Sequence, residues 1–384
     1  MSESDARAGA TSARPPGRLY YLDYLRAGVV ALVFLHHTAI TYGASGSWYY
    51  SDAGSSALSS GLLTLLAAFD QSWFMGFLFF LSGYLSPPSY ARKGAGRYVL
   101  DRLSRFGIPL MFYAFVISPL TVWLAQVTTP RHLSLLEVYA EKPFDFGVLW
   151  FVETLLLMDL LFVLWARWLR RGDLDARPGG AFPSRRALVA FIAGLGVASF
   201  LVRFALPVGA TFAGLNICYY PSYIAMFVLG LVAWRRRWLD AIPDAAFRWA
   251  RSAAIVGVIV LPVLLVVGSA MPNGAADFSG GPHWQALALA LWEQVMLVGM
   301  SIVLLRWGQR RLNRPSPFWQ GWAQASYLAY IIQPVFIVAL AVLVSGAAWP
   351  ALGKFALVGP LSIVAIYSAA RLLRRIGPVR RVVG

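Results

Sequence analysis

Ten stretches of mostly apolar residues divide this chain, at 20–42, 62–86, 106–127, 147–168, 187–207, 216–234, 253–271, 285–305, 322–345 and 353–373. Each is close to the ~20 residues that a helix needs to cross a bilayer. The second and fourth are interrupted by Asp70 and Glu153, but their leucine and aromatic content carries them. The pattern therefore predicts an all-α fold, a polytopic membrane bundle of about ten transmembrane helices. The connections are short, so no catalytic domain outside the membrane fits. Any chemistry must occur within the bundle or at its loops.

Composition agrees. The chain is 59% hydrophobic and 13% charged, where a soluble chain carries about 25% charged residues. Residues 1–17 are small, polar and rich in Pro and Gly, and are expected to be disordered. The first apolar run follows basic residues, as a signal peptide would, but it contains His36 and His37 and is expected to be retained. The expected organisation is a disordered cytoplasmic segment at 1–17, a transmembrane domain at 18–375 and a short basic tail at 376–384. Cys218, the single cysteine, falls within a predicted span and excludes an intrachain disulfide.

The net charge of +16 would suggest nucleic acid in a soluble protein. Its distribution argues otherwise. With the N-terminus in the cytoplasm, all but four of the 33 Lys and Arg residues fall at cytoplasmic junctions or termini; the exceptions are Arg131, Lys142, Arg203 and Lys354. The positive-inside rule then puts both termini in the cytoplasm. The arginines read as topology signals and contacts to lipid headgroups, which excludes a nucleic-acid partner. The expected location is the plasma (inner) membrane, as a multi-pass protein. Oligomeric state is not legible.

Ionisable residues inside a membrane helix are costly and usually functional. The first span carries Asp23, Arg26, His36 and His37. Arg26 and His37 differ by ~20° in facing and ~16 Å in depth on an α-helix. Asp23 is three residues before Arg26 and can pair with it. One face thus carries a cation at the cytoplasmic end and an imidazole deep in the membrane. Histidine suits proton transfer near neutral pH, which makes His37 the leading candidate; His36 points ~100° away. The loop Arg102-Leu-Ser-Arg105-Phe-Gly-Ile-Pro109 offers two arginines to an anionic ligand at the cytoplasmic face. Glu153 and Arg203 lie in the outer parts of spans four and five, and mutual pairing is expected. Asp70 and Glu293 are further candidates, while Asp159 receives no role. In span nine Gln333 precedes Pro334, whose ring frees a backbone carbonyl. No phosphate loop, hydrolase elbow or metal-ligand spacing is found, so no bound metal is expected.

Several segments in order resemble the acyltransferase 3 family of integral membrane O-acyltransferases: Leu22-Asp-Tyr-Leu-Arg26 with His37, Phe79-Phe-Leu-Ser-Gly-Tyr84, Arg102 to Pro109, Leu149-Trp-Phe-Val152 and Ser326-Tyr-Leu-Ala-Tyr330. Phe200-Leu-Val-Arg203 and Tyr220-Pro-Ser-Tyr223 are similar to the branch of glucan-modifying succinyltransferases. The resemblance implies transfer of an acyl group, acetyl or succinyl, from cytoplasmic acyl-CoA to a hydroxyl of a sugar or other acceptor, with no tightly bound cofactor. It places the family's essential residues on Arg26 and His37, with Asp23 orienting Arg26, and the donor site on Arg26, Arg102 and Arg105. Glu153, Arg203 and Asp70 become acceptor-side candidates. Where the family often has histidine in span nine, this chain has Gln333. A transporter or flippase of a polar glycan-like substrate is the alternative, since polar groups at mid-membrane also describe that class.

Overall fold

The computed structural model describes residues 19–383, apart from 53, 129, 131, 142–144, 169–176 and 213. The expectation for residues 1–17 lies outside the described residues. The chain is an all-α bundle: α1 (Tyr20–Thr41), α2 (Ala57–Arg102), α3 (Ile108–Phe112), α4 (Ser118–Ala125), α5 (Leu135–Glu141), α6 (Trp150–Trp168), α7 (Arg185–Ala205), α8 (Tyr220–Arg236), α9 (Asp244–Ser269), α10 (Trp284–Arg311), α11 (Pro317–Leu343), α12 (Ala351–Leu373) and α13 (Gly377–Val383).

Among the described residues, nine helical stretches are long and apolar enough to cross a bilayer. The longest, Ala57–Ala125, has 69 residues, which a straight helix would extend over ~100 Å, more than three times a hydrocarbon core. It does not run straight. Gly94 sits at φ 71°, ψ 166° and breaks the helix, a conformation that glycine adopts without strain. The chain doubles back there. Tyr90 and Tyr98 meet ring to ring at 5.7 Å, and Lys93 pairs with Asp101 at 2.7 Å. The nine stretches therefore make ten passes, as the apolar pattern predicts. The returning limb differs from expectation in one respect. Residues 102–109 are helical throughout, with a π-helical turn at Leu103–Gly107, and not a loop.

Helix packing follows small residues. A Cβ on Gly83 would collide with the backbone of Phe227, and one on Gly230 with that of Phe80. α2 and α8 thus touch backbone to backbone, the usual driving contact where lipid supplies no hydrophobic force between helices. The core runs along α1, α2, α10 and α11, with Phe34, Phe77, Phe79 and Ile337 fully buried. On the outer side, the segment after α1 folds back over the bundle. Asp52 N–H bonds to Thr41 O at 2.9 Å, and Lys354 donates to Asp52 Oδ2 at 2.6 Å. On the arginine-rich side, the tail is not a free extension: it forms α13, whose Val383 is buried under the bundle.

Candidate active site

The apolar stripe of α1 places its polar residues as the spacing predicts, and α2, α6 and α11 close around them. At the arginine-rich end, Arg26 Nη2 donates to Asp23 Oδ1 at 3.2 Å. Both line a cavity of about 320 Å³ that enters the bundle from that side. Arg102, Arg105 and Arg374 line the same cavity. Four guanidinium groups and two carboxylates, Asp23 and Asp159, therefore share one space. Burial, then the like charge of Arg380, weakens the hold of Arg374 on its proton. A cation displaced in that direction is one that an anion would stabilise.

Arg102 is held by a residue that sequence reading passed over. Asp159 lies buried on α6, and its Oδ2 stands 3.0 Å from Arg102 Nε. Its Oδ1 accepts from Tyr98 OH at 2.6 Å and Ser86 Oγ at 2.9 Å. Ser86 and Tyr98 precede and follow the break at Gly94, so one carboxylate ties the two limbs of the hairpin together. It also fixes the guanidinium over the Tyr98 ring at 4.7 Å. The available signal was the carboxylate itself, an aspartate in an otherwise apolar span. Arg105 and Phe106 reach the cavity from the π-helical turn, an irregularity often found at functional sites. Tyr327 OH donates to Arg105 O at 2.7 Å and fixes that turn against α11.

Further into the bundle the lining becomes apolar and aromatic, with Val30, Leu78, Phe151 and Tyr330. Tyr330 donates its hydroxyl to Val148 O. One turn beyond Tyr330 on α11 is Gln333, and two turns beyond Val30 on α1 is His37. These two meet: His37 Nδ1 lies 3.0 Å from Gln333 Oε1. An amide oxygen only accepts, so Nδ1 carries the proton and Nε2 keeps its lone pair. The opposite ring face is covered by Trp48, stacked at 4.0 Å and 16°. Trp48 comes from the segment after α1, whose Tyr49 OH lies 2.7 Å from Tyr113 OH. Burial pushes the Tyr49 hydroxyl up to about 12, so it stays protonated as a hydrogen-bonding anchor. His36 faces elsewhere. It is buried against Phe74 at 5.0 Å, and its Nδ1 has no hydrogen-bond partner among the described residues.

The remaining candidates are not brought to this cavity. Arg203 does not pair with Glu153. It donates to Glu293 Oε2 at 2.5 Å, with the guanidinium 5.6 Å from the Tyr219 ring. α7 packs beside α10, which carries Glu293, whereas Glu153 sits half-buried at the start of α6. Neighbour relations between helices decide which carboxylate is reached. Asp70 is fully buried in α2, and neither carboxylate oxygen finds a hydrogen-bond partner among the described residues.

Comparison with known proteins gives a consistent result. The family described as an acyltransferase domain, acyltransferase 3, matches residues 19–371. The chain belongs to that family. Its relatives include the glucans biosynthesis protein C of Salmonella paratyphi B, of Salmonella agona and of Salmonella enteritidis. Each is 24% identical over 335 residues, covering 84% of this chain and 83% of the relative. No solved structure matches.

Proposed function

We propose that this multi-pass acyltransferase takes an acyl group from acyl-CoA on the cytoplasmic side and transfers it to a hydroxyl of a glycan. The observation that carries this reading is the cavity at the arginine-rich face, with four arginines at its mouth and an apolar throat that ends at Val30 and Tyr330, two turns of α1 short of His37 and one turn of α11 short of its partner Gln333. Arginine binds phosphate through paired, charged hydrogen bonds, and acyl-CoA carries several phosphates. Arg26, Arg102, Arg105 and Arg374 would hold them. Asp23 and Asp159 are positioning residues that orient Arg26 and Arg102. The apolar throat suits the thioester arm.

His37 then acts on the acceptor. In the direct route Nε2 removes the hydroxyl proton, the oxygen attacks the thioester carbonyl, the C–S bond breaks and the thiolate of CoA leaves. The proton held on His37 returns to that sulfur. In the covalent route Nε2 attacks the thioester carbonyl, the C–S bond breaks and the thiolate of CoA leaves; the acceptor oxygen then attacks the acyl carbon, the C–N bond to Nε2 breaks, and the hydroxyl proton passes to the thiolate. Both need the Nε2 lone pair, which the Gln333 contact preserves. Gln333 is therefore a positioning residue. The stacked indole of Trp48 would favour the imidazolium formed during either route. Glu153, half-buried at the outer end of α6, remains an acceptor-side candidate. The inner membrane is the location this reading requires.

The test is release of free CoA by purified protein given acetyl-CoA or succinyl-CoA with candidate glycans. His37→Ala should abolish release, Arg26→Ala should weaken it, and His36→Ala should retain it. Equal turnover by wild type and His37→Ala would remove the assignment.

A further inference from the structure

On the opposite side of the bundle from this cavity, α7, α9 and α10 enclose a second space of about 580 Å³. Its walls are apolar: Ala253, Val256 and Val260 from α9, and Leu291 and Val295 from α10. The polar atom nearest to spoiling that wall is withdrawn from it, because Trp292 Nε1 donates to Gly257 O at 2.7 Å. Trp249 lies at the arginine-rich end, where α9 begins, and Val260 marks the deepest point on that helix. Eleven residues separate them, ~16 Å on an α-helix, about half of a ~30 Å hydrocarbon core. The groove is one leaflet deep. Along its α10 wall, Gly196 of α7 packs on Leu291.

One charged residue lines this groove, Arg185, in the first turn of α7. Four arginines of this face have protein counter-charges. Arg306 and Arg310 both bond to Asp244, and Arg177 and Arg237 share Asp240. Arg185 makes no ion pair among the described residues, and it is exposed. A guanidinium at the headgroup level with no counter-charge among the described residues, with an apolar channel of leaflet depth beneath it and a tryptophan at the interface, has the complementarity of an anionic lipid.

We propose that this groove binds one anionic glycerophospholipid from the cytoplasmic leaflet, its phosphate on Arg185 and one acyl chain between α9 and α10. The site is separate from the donor cavity and does not rest on the catalytic reading.

The protein is reconstituted with an equimolar mixture of phosphatidylglycerol and phosphatidylcholine of identical chains, extracted in mild detergent, and its retained lipid is counted by native mass spectrometry. One phosphatidylglycerol per chain should be retained in preference to phosphatidylcholine. Arg185→Glu should cut that preference at least about fivefold, the weight of one arginine near a bilayer surface, while Arg185→Lys keeps most of it. Ala253→Trp, which fills the channel, should lower retention of both lipids. Arg185 is exposed, so its variants test the headgroup contact without disturbing the core. Equal retention of the two lipids by wild type, or an unchanged preference in Arg185→Glu, would overturn the proposal.

Discussion

Two buried arginine–carboxylate pairs sit at opposite ends of this bundle, and they differ in what surrounds them. Arg102 and Asp159 face a cavity, and the Arg102 side chain keeps 15% of its surface. Arg203 and Glu293 are sealed among α7, α8 and α10, and the Arg203 side chain keeps none. Both pairs remove two charges from solvent. Only the first leaves room beside the cation for a further anion. A charge in a membrane helix is therefore not by itself a binding group. What distinguishes a site from a clamp is the empty space beside it.

The largest effect expected from this contrast is on the cavity side. His37→Ala should reduce CoA release by about 10²–10⁴-fold, the usual range for removing a proton-transfer group. Its thermal unfolding in detergent should barely move, since His37 is only half-buried. Gln333→Leu should also lower activity, because the ring would lose the partner that fixes its tautomer. A large loss of folding stability in His37→Ala, with activity per folded molecule unchanged, would place His37 with the clamps.

The sealed pair should behave in the opposite way. Glu293→Leu strands the Arg203 guanidinium in an apolar surround, and breaking a buried pair costs about 3–5 kcal/mol. The double change Arg203→Met with Glu293→Leu should recover most of that loss, because no unpaired charge remains. Activity per folded molecule should survive both. A double variant as unstable as the single one would show that the pair does more than neutralise itself.

Sequence reading reached one of these regions better than the other, for a physical reason. The relation of Asp23, Arg26 and His37 lies within one helix, where 100° and 1.5 Å per residue determine facing and depth. Contacts between helices are set by packing, which spacing does not encode. Arg203 had two candidate carboxylates, Glu153 and Glu293, and only the neighbouring of α7 and α10 selects Glu293. For the same reason Gln333 could be read only as a local bond beside Pro334, when it in fact crosses to His37. Trp48 carried no signal, because a tryptophan in a connecting segment does not announce what it covers. Asp159 was visible as a costly aspartate, but its partners Ser86, Tyr98 and Arg102 become a set only once the chain turns at Gly94.

Changing only the ligand-facing charge separates the two pairs again. Arg102→Gln keeps a donor for Asp159 but removes the cation from the cavity. The KM for acyl-CoA should rise about 10- to 100-fold, the weight of a charged hydrogen bond. kcat at saturating donor should be nearly unchanged, the pattern of lost uniform binding. Arg203→Gln should leave that KM alone and lower stability instead. A fall in kcat without a change in KM for Arg102→Gln would move this arginine from holding the donor to assisting the chemistry.

The smallest effect separates the two regions without any mutation. Salt screens charges that solvent can reach; the screening length falls from about 30 Å at 0.01 M to about 8 Å at 0.15 M ionic strength. The cavity arginines open towards the arginine-rich face, so the KM for acyl-CoA should climb several-fold over that range while kcat holds. Arg203 and Glu293 lie beyond the reach of counter-ions, so the stability that the pair confers, read as the difference between wild type and Glu293→Leu, should stay constant over the same range. A KM indifferent to salt would mean that the donor phosphates are not held by exposed guanidinium groups, and the cavity would then have to be read as a passage rather than an anion site.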